Sequence, residues 1–319
     1  MSTDSDFVLY HYTPSKGAAI VFVVLFILMI VVYAVQTFNA ARKASKIARY
    51  NSFEPSDDKI DDKTDDKTDD KSVIFKNNDS KKKFKVSSTV CAFIPFFIGF
   101  IMEFIGYIGR VLSSSNPTKI APYIIQSLLL LVAPALIAAT IYMVFGRLLS
   151  AMRCESLMLI SARFGTTFFV VGDVFSFFLQ AAGGGLMSKK GSTKTGSNLI
   201  TAGLIVQIVF FGFFIINEIR FSISVKKKCS FYSGISRKWF IVNATLLLSS
   251  VLILVRSIVR VVEFIQGFDG FIISHEYFIY VFDAVPMLLV IIAFSVGSFF
   301  GNVFDVIAEC QYSTSSDSA

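Results

Sequence analysis

Cysteine, histidine and tryptophan are scarce: the 319 residues hold 4 Cys, 2 His and 1 Trp. No Cys-x-x-Cys pair occurs. Cys91, Cys154, Cys229 and Cys310 all fall in or beside stretches whose charge reads as cytoplasmic, where thiols stay reduced. Neither a disulfide scaffold nor a structural zinc site is expected. His11 and His275 lie far apart with no nucleophile motif around them, so no Ser-His or Cys-His constellation is expected. Nothing matches Gly-x4-Gly-Lys-Ser/Thr, which removes ATP hydrolysis through a phosphate loop. Neither an enzyme nor a bound cofactor is expected. Charge is scarce as well, at 17% of residues against about 25% in soluble proteins. A globule in water would have too little polar surface.

Apolar residues are abundant instead, 54% of the chain, with 35 Phe. They form seven blocks: Gly17–Phe38, Ser88–Gly109, Ile120–Phe145, Phe164–Ala182, Leu199–Ile219, Trp239–Val262 and Tyr277–Phe300. Each has roughly 20 residues or more, the length a helix needs to cross the hydrocarbon of a bilayer. The blocks are continuously apolar, whereas barrel strands alternate over about 10 residues. The expected fold is all-α, a polytopic bundle of seven transmembrane helices.

Lys and Arg set its orientation. The loops 39–87, 146–163 and 220–238 carry thirteen, three and six of them, while the tail before the first block and the other two loops carry six in total. The amino terminus is expected outside and the carboxyl terminus inside. Residues 1–16 then form an extracellular tail, 17–300 the membrane domain with a cytoplasmic loop 39–87, and 301–319 a cytoplasmic tail. The net charge of +7 belongs to this topology and does not imply nucleic acid as a partner. No basic region precedes the first block, which is longer than the core of a signal peptide, so no cleaved leader is expected. Asn116 is followed by Pro117, which spoils the one outward sequon; Asn78-Asp79-Ser80 faces the cytosol, and no N-glycan is expected.

Within the first loop, Asp-Asp-Lys occurs four times between Asp57 and Lys71. The repeat has no apolar face and lacks the spacing of a calcium loop, so a solvated, disordered linker is expected. Lys81-Lys82-Lys83-Phe84-Lys85 follows at the edge of the second block, where it marks topology and attracts anionic inner-leaflet lipid. Gly183-Gly184-Gly185 lacks phosphate-loop spacing; a flexible turn or close helix packing is expected there. Pro95, Pro134 and Pro286 fall within membrane blocks, where proline frees a carbonyl and permits a kink. Ala133 and Ala135 flank Pro134 and suggest close packing at that kink.

Several ionisable residues persist inside the apolar blocks. A charge at mid-bilayer costs about 2.5–3.5 kcal/mol on insertion scales, so it survives where it is paired, hydrated or used. Arg256, Arg260 and Glu263 are spaced by four and three, on one face of the sixth helix. Glu103 and Arg110, seven apart, share a face of the second, and Asp173 and Gln180 a face of the fourth. Traced from the expected inner ends, Glu103, Arg110, Gln126, Gln180, Arg256, Arg260, Glu263 and Asp283 all reach the outer half. Asp173 lies nearer mid-depth, the best-placed candidate for proton coupling or a clasp between helices, and Glu218 at the inner end of the fifth helix. Eight polar residues from five helices thus converge on one level. Two readings fit: an ion-pair lattice that fixes helix packing, or a ligand vestibule open to the exterior.

These residues also resemble a known pattern. Glu103-Phe-Ile-Gly106-Tyr107-Ile-Gly-Arg110 resembles the Glu-x-x-Gly-Tyr-x-x-Arg signature of the fungal RTA1-like, or lipid-translocating exporter, family. Gln126, Ala133-Pro134, Ala138-Ala139 and Tyr142 are similar to its third helix. Asp173, Gln180 with Gly183–Gly185, and Gly203 with Gln207 are similar to its fourth and fifth. Arg256, Arg260, Glu263, Gly267 and Gly270, then Glu276, Tyr280 and Asp283, are similar to its sixth and seventh. The likeness runs from about Tyr12 to Gly301. Many members end the last helix near His-Pro-Gly, where this chain has Ser298-Phe299-Phe300, and the acidic repeat is peculiar to this chain.

The resemblance implies a plasma-membrane protein that moves amphipathic molecules. Phe7–Lys16 and Ile272–Asp283 are most similar to the protoporphyrin-uptake branch, which implies porphyrin influx and haem efflux; the sphingoid long-chain-base exporter branch is the alternative. A porphyrin's two carboxylates suit Arg110, Arg256 and Arg260, and a sphingoid ammonium suits Glu103, Glu263 or Asp283. Gln126, Asp173, Gln180 and Gln207 complete the expected binding set. Seven helices with an outside amino terminus is also receptor topology, so a ligand sensor without transport stays open.

Overall fold

A computed structural model describes residues 15–53, 86–115, 120–152, 162–187, 191–228, 238–267, 270–307 and 309. His11, the Asp-Asp-Lys repeat, the Lys81–Lys85 cluster, Asn78, Asn116, Cys154, Cys229 and Cys310 lie outside the described residues. Among the described residues there is no strand. The helices are α1 (Lys16–Phe53), α2 (Val86–Cys91), α3 (Ile94–Ser115), α4 (Ile120–Ala151), α5 (Ala162–Met187), α6 (Thr193–Lys228), α7 (Lys238–Gln266), α8 (Phe271–Ser274), α9 (Tyr277–Ile279) and α10 (Val285–Phe300), with a π turn at Tyr280–Ala284 between the last two. Seven segments are long and apolar enough to cross a membrane, starting with Lys16–Ile47 and ending with Tyr277–Phe300. The seven apolar blocks of the sequence are these seven segments.

Edges differ from expectation where polar residues continue a helix past the apolar run. α1 carries residues 39–53 of the expected cytoplasmic loop 39–87 as helix, and α6 carries 220–228 of the third basic loop. Lys, Arg and Ala are good helix formers, so composition alone marks where apolarity stops and not where the helix does. Gly183–Gly185 sits inside α5, not in a turn. The Pro95 kink lies at the very start of α3: Ala92 and Phe93 turn the chain between α2 and α3, and Pro95 occupies the first helical turn, where its missing N–H costs nothing.

Neighbouring helices close a ring in the order α1, α3, α4, α5, α6, α7, α10 and back to α1, with α4 also reaching across to α7. α4 is the most enclosed, with 67% of its apolar stretch buried against 22% for α1. The interior is aromatic: Tyr33, Phe96 and Phe100 pack with Phe294 and Phe26 on one side, and Tyr142, Phe145, Phe169 and Phe214 pack on the other. Val21, Val24, Leu28, Phe175, Phe178, Val209 and Phe299 point outward, as lipid-facing side chains must. Small residues bring backbones together in place of a hydrophobic driving force that lipid cannot supply. A Cβ on Gly99 would lie 2.9 Å from the Ala133 carbonyl, so the Ala133-Pro134-Ala135 stretch does pack closely against α3.

Candidate functional site

Six of the ten residues singled out in the sequence line one cavity at the end of the bundle where α1 begins: Arg110, Gln126, Arg256, Arg260, Glu263 and Asp283. Two local backbone features build it. Pro134 has no N–H, so the carbonyl of Leu130, four residues earlier, lacks its α-helical partner. Arg256 Nη2 donates to that Leu130 oxygen. A proline on α4 thus anchors an arginine on α7. The second feature is the π turn, in which the Val285 N–H reaches back to the Tyr280 carbonyl. Pro286 cannot bond the Phe282 carbonyl, which favours a wide turn over a regular one. The extra residue aims Asp283 inward.

Asp283 is the hub. Its carboxylate lies 2.5 Å from Arg256 Nη2 and 3.0 Å from Arg260 Nη2, and Arg260 Nε donates to it at 3.2 Å. The Tyr107 hydroxyl donates to Oδ2 at 3.2 Å. Arg260 also holds Glu263, one helical turn on, at 3.0 Å. All but Glu263 are buried. Asp283 and Glu263 together balance the two arginines in a low-dielectric site, where an unpaired charge is costly. Glu103 lies close by: it is fully buried, its oxygens make no hydrogen bond among the described residues, and it lies within electrostatic reach of Arg256, Asp283 and Arg260. It backs the cluster and does not line the cavity.

A second layer closes over the first. Arg110 Nη2 donates to Glu276 at 2.9 Å, and its Nε donates to the Tyr280 hydroxyl at 3.0 Å, with the guanidinium 5.2 Å from the Tyr280 ring centre. Glu276 also accepts the Ser15 N–H at 2.8 Å, tying the start of α1 to the last helix. Phe22 stacks on both Tyr107 and Tyr280. Replacing Tyr107 by Phe keeps that stack and removes only the hydroxyl. We expect Tyr107→Phe to lower stability by about 1 kcal/mol, read as a shift of the thermal midpoint in detergent, with Phe22→Ala larger.

The remaining four residues sit elsewhere. Besides Glu103, Gln180 donates to Gln207 at 3.0 Å across the α5–α6 contact, and Asp173 faces Tyr142 on α4. The expected convergence therefore resolves into one cavity, a buried acid behind it and two interhelical polar contacts. Sequence reasoning left Tyr107, Glu276 and Tyr280 out of the binding set. The spacing of Glu276 and Tyr280, one α-helical turn apart and one short of Asp283, was the available signal. Among the described residues no group of His, Cys, Asp and Glu could hold a metal ion.

The cavity measures about 50 Å3, within a cleft of about 690 Å3 that includes its mouth. A water molecule needs about 10–15 Å3 on this measure, so the closed space admits water and a head group but not a macrocycle. A second, apolar cavity of about 70 Å3 adjoins it, lined by Leu128, Leu131, Met187, Ile200 and Phe264 among others.

The family described as RTA1 like protein matches residues 96–306. Protoporphyrin uptake protein 1 of Saccharomyces cerevisiae is 75% identical over 97% of this chain and 98% of its own length. Protein RTM1 of the same species is 62% identical over 97% of each chain. The sphingoid long-chain base transporter RSB1 of that species is 25% identical over 64% of this chain and 63% of its own. No solved structure matches.

Proposed function

The chain belongs to the RTA1-like family, and on that premise we propose that this multi-pass membrane protein is a plasma-membrane carrier of amphipathic molecules, taking protoporphyrin IX in and letting haem out. The observation that carries the proposal is identity of 75% along nearly the whole chain with a relative named for protoporphyrin uptake. The cavity chemistry supports it. A protoporphyrin presents two carboxylates on a flat apolar ring; Arg256, Arg260 and Arg110 offer planar, permanently charged forks for the acids. The apolar cavity beside them offers a surface for the ring.

In this proposal the amino terminus lies outside and the carboxyl terminus inside, so the cavity faces the exterior. Residues between α1 and α2 and after α10 lie in the cytosol, where Lys81–Lys85 meets anionic lipid. Gln126, Arg110, Arg256 and Arg260 bind the ligand's head, and Asp283 and Glu263 hold the arginines when no ligand is bound. Glu103 backs the arginines from inside the bundle. Gln180, Gln207 and Asp173 serve the helix movements that follow. The protein catalyses no reaction.

A second reading rests on Glu263, the carboxylate at the cavity rim with 20% of its side chain exposed. It would receive the ammonium of a sphingoid base. One experiment separates the two. Cells unable to make haem, expressing the intact chain, are expected to take up protoporphyrin in proportion to its surface abundance. Arg256→Gln with Arg260→Gln is expected to reduce that uptake at least about tenfold at equal abundance, the loss of two charge-assisted contacts. No uptake by the intact chain overturns the porphyrin proposal. Export of sphingoid base by the same cells would then support the second reading, and ligand-triggered signalling without flux a sensor.

A further inference from the structure

The polar and apolar cavities meet at a shared wall of four residues, two of which form an ion pair. Ser127, Arg260, Glu263 and Ile273 line both, and of these only Arg260 and Glu263 carry charge. Neither cavity alone, at about 50 and 70 Å3, holds a ligand with an acidic head and a broad apolar body. Joined, they would place an anion binder against an apolar seat, the layout such a ligand needs.

The two ends of the partition are held very differently. Arg260 is held by Asp283, independently of Glu263, through contacts at 3.0 and 3.2 Å. Among the described residues the Glu263 carboxylate has Arg260 as its one partner, at 3.0 and 3.3 Å. It sits near the end of α7, one turn before Gly267, whose φ of +72° ends the helix. An i,i+3 pair of this kind with a partly exposed acid is weak. A ligand carboxylate arriving at Arg260 offers the same two oxygens in the same fork geometry.

We infer that Glu263 is an internal stand-in for the ligand's carboxylate: the incoming acid displaces it from Arg260, its side chain swings to the rim, and the polar and apolar cavities merge into one site that seats the head on Arg256 and Arg260 and the apolar body against Leu131, Ile200 and Phe264. The acidic, broad-bodied ligand rests on the porphyrin proposal above. The displacement itself is a statement about Glu263 and is tested apart from it.

The full chain in lipid nanodiscs is titrated with protoporphyrin IX and, in parallel, with etioporphyrin, an alkyl porphyrin without carboxylates; empty discs give the partitioning background. Glu263→Gln removes the competitor and is expected to tighten protoporphyrin binding about fivefold while leaving etioporphyrin unchanged. Ile200→Phe fills the apolar cavity and is expected to weaken both porphyrins about tenfold. If the wild type binds protoporphyrin and Glu263→Gln leaves it unchanged or weaker, or tightens both porphyrins alike, the displacement is wrong and the substrate assignment stands. If Ile200→Phe leaves both affinities unchanged, the apolar cavity is not the seat. A wild type that binds no porphyrin overturns the substrate assignment and this inference together.

Discussion

Asp283→Ala is expected to cost about 3–5 kcal/mol of stability, the largest loss for any single side chain in the bundle. The reason is asymmetry. Making a buried ion pair gains little, because desolvation consumes most of the Coulomb attraction, but removing one partner strands the other in a low dielectric. Here one truncation reaches two arginines: Arg256 at 2.5 Å and Arg260 at 3.0 Å lose the carboxylate they share. Among the described residues that leaves Arg256 only the Leu130 carbonyl and Arg260 only the partly exposed pair with Glu263. Asp283→Asn keeps the volume and can still meet the Tyr107 hydroxyl, yet it should lose nearly as much, since charge and not shape is missing. Combining Asp283→Ala with Arg260→Met is expected to restore part of the loss, a coupling above about 1 kcal/mol in a double-mutant cycle. The check is the unfolding midpoint of purified protein titrated with denaturing detergent. A midpoint for Asp283→Ala within about 1 kcal/mol of wild type would mean that water in the cavity, or Glu103 from behind, carries the arginines instead.

Gly183→Leu is expected to separate α5 from α6 and to cost about 3 kcal/mol, the upper range for overpacking. A Cβ on Gly183 would lie 2.6 Å from the Gly196 carbonyl oxygen and 2.9 Å from the Ile200 N, both backbone atoms. Backbone cannot rotate away as a side chain can, so the helices themselves must move. Gly203 makes the same approach farther along, 2.8 Å from the Ser176 carbonyl. The shift would also pull Gln180 from Gln207, bonded at 3.0 Å. Gly185→Leu is the control, because nothing lies within 4 Å of a Cβ there. It should be near neutral. Leucine favours the helix at both positions, so equal losses would mean that something other than the approach of α6 decides, and would overturn the packing argument.

The three adjacent glycines show how far composition can be pushed. As a run they fit either a turn or close helix packing; in the bundle they act one by one, Gly183 against α6, Gly184 toward Leu128, and Gly185 facing open space. Which role each takes depends on a helix that begins near Thr193, and no local signal carries that. The same holds for the charged residues. Spacing put Arg256, Arg260 and Glu263 on one face, and they share one face. Spacing could not say that Arg110 would turn to Glu276 and Tyr280, while Asp283, from a different helix, would take both arginines.

Length and hydropathy by themselves determined the seven membrane helices, since a bilayer demands an apolar run of a given length and satisfies no stray backbone group. Periodicity determined which polar side chains share a helix face. Tertiary structure decided the rest, because partner choice is a matter of distance between helices remote in sequence. Pro134 is the clearest case. Its freed carbonyl, at Leu130, is implied by the residue type alone; that Arg256, 126 positions away, would be the donor follows only from α4 and α7 meeting across the ring. The split of the polar layer into a cavity, a buried acid behind it and an apolar chamber beside it has the same origin.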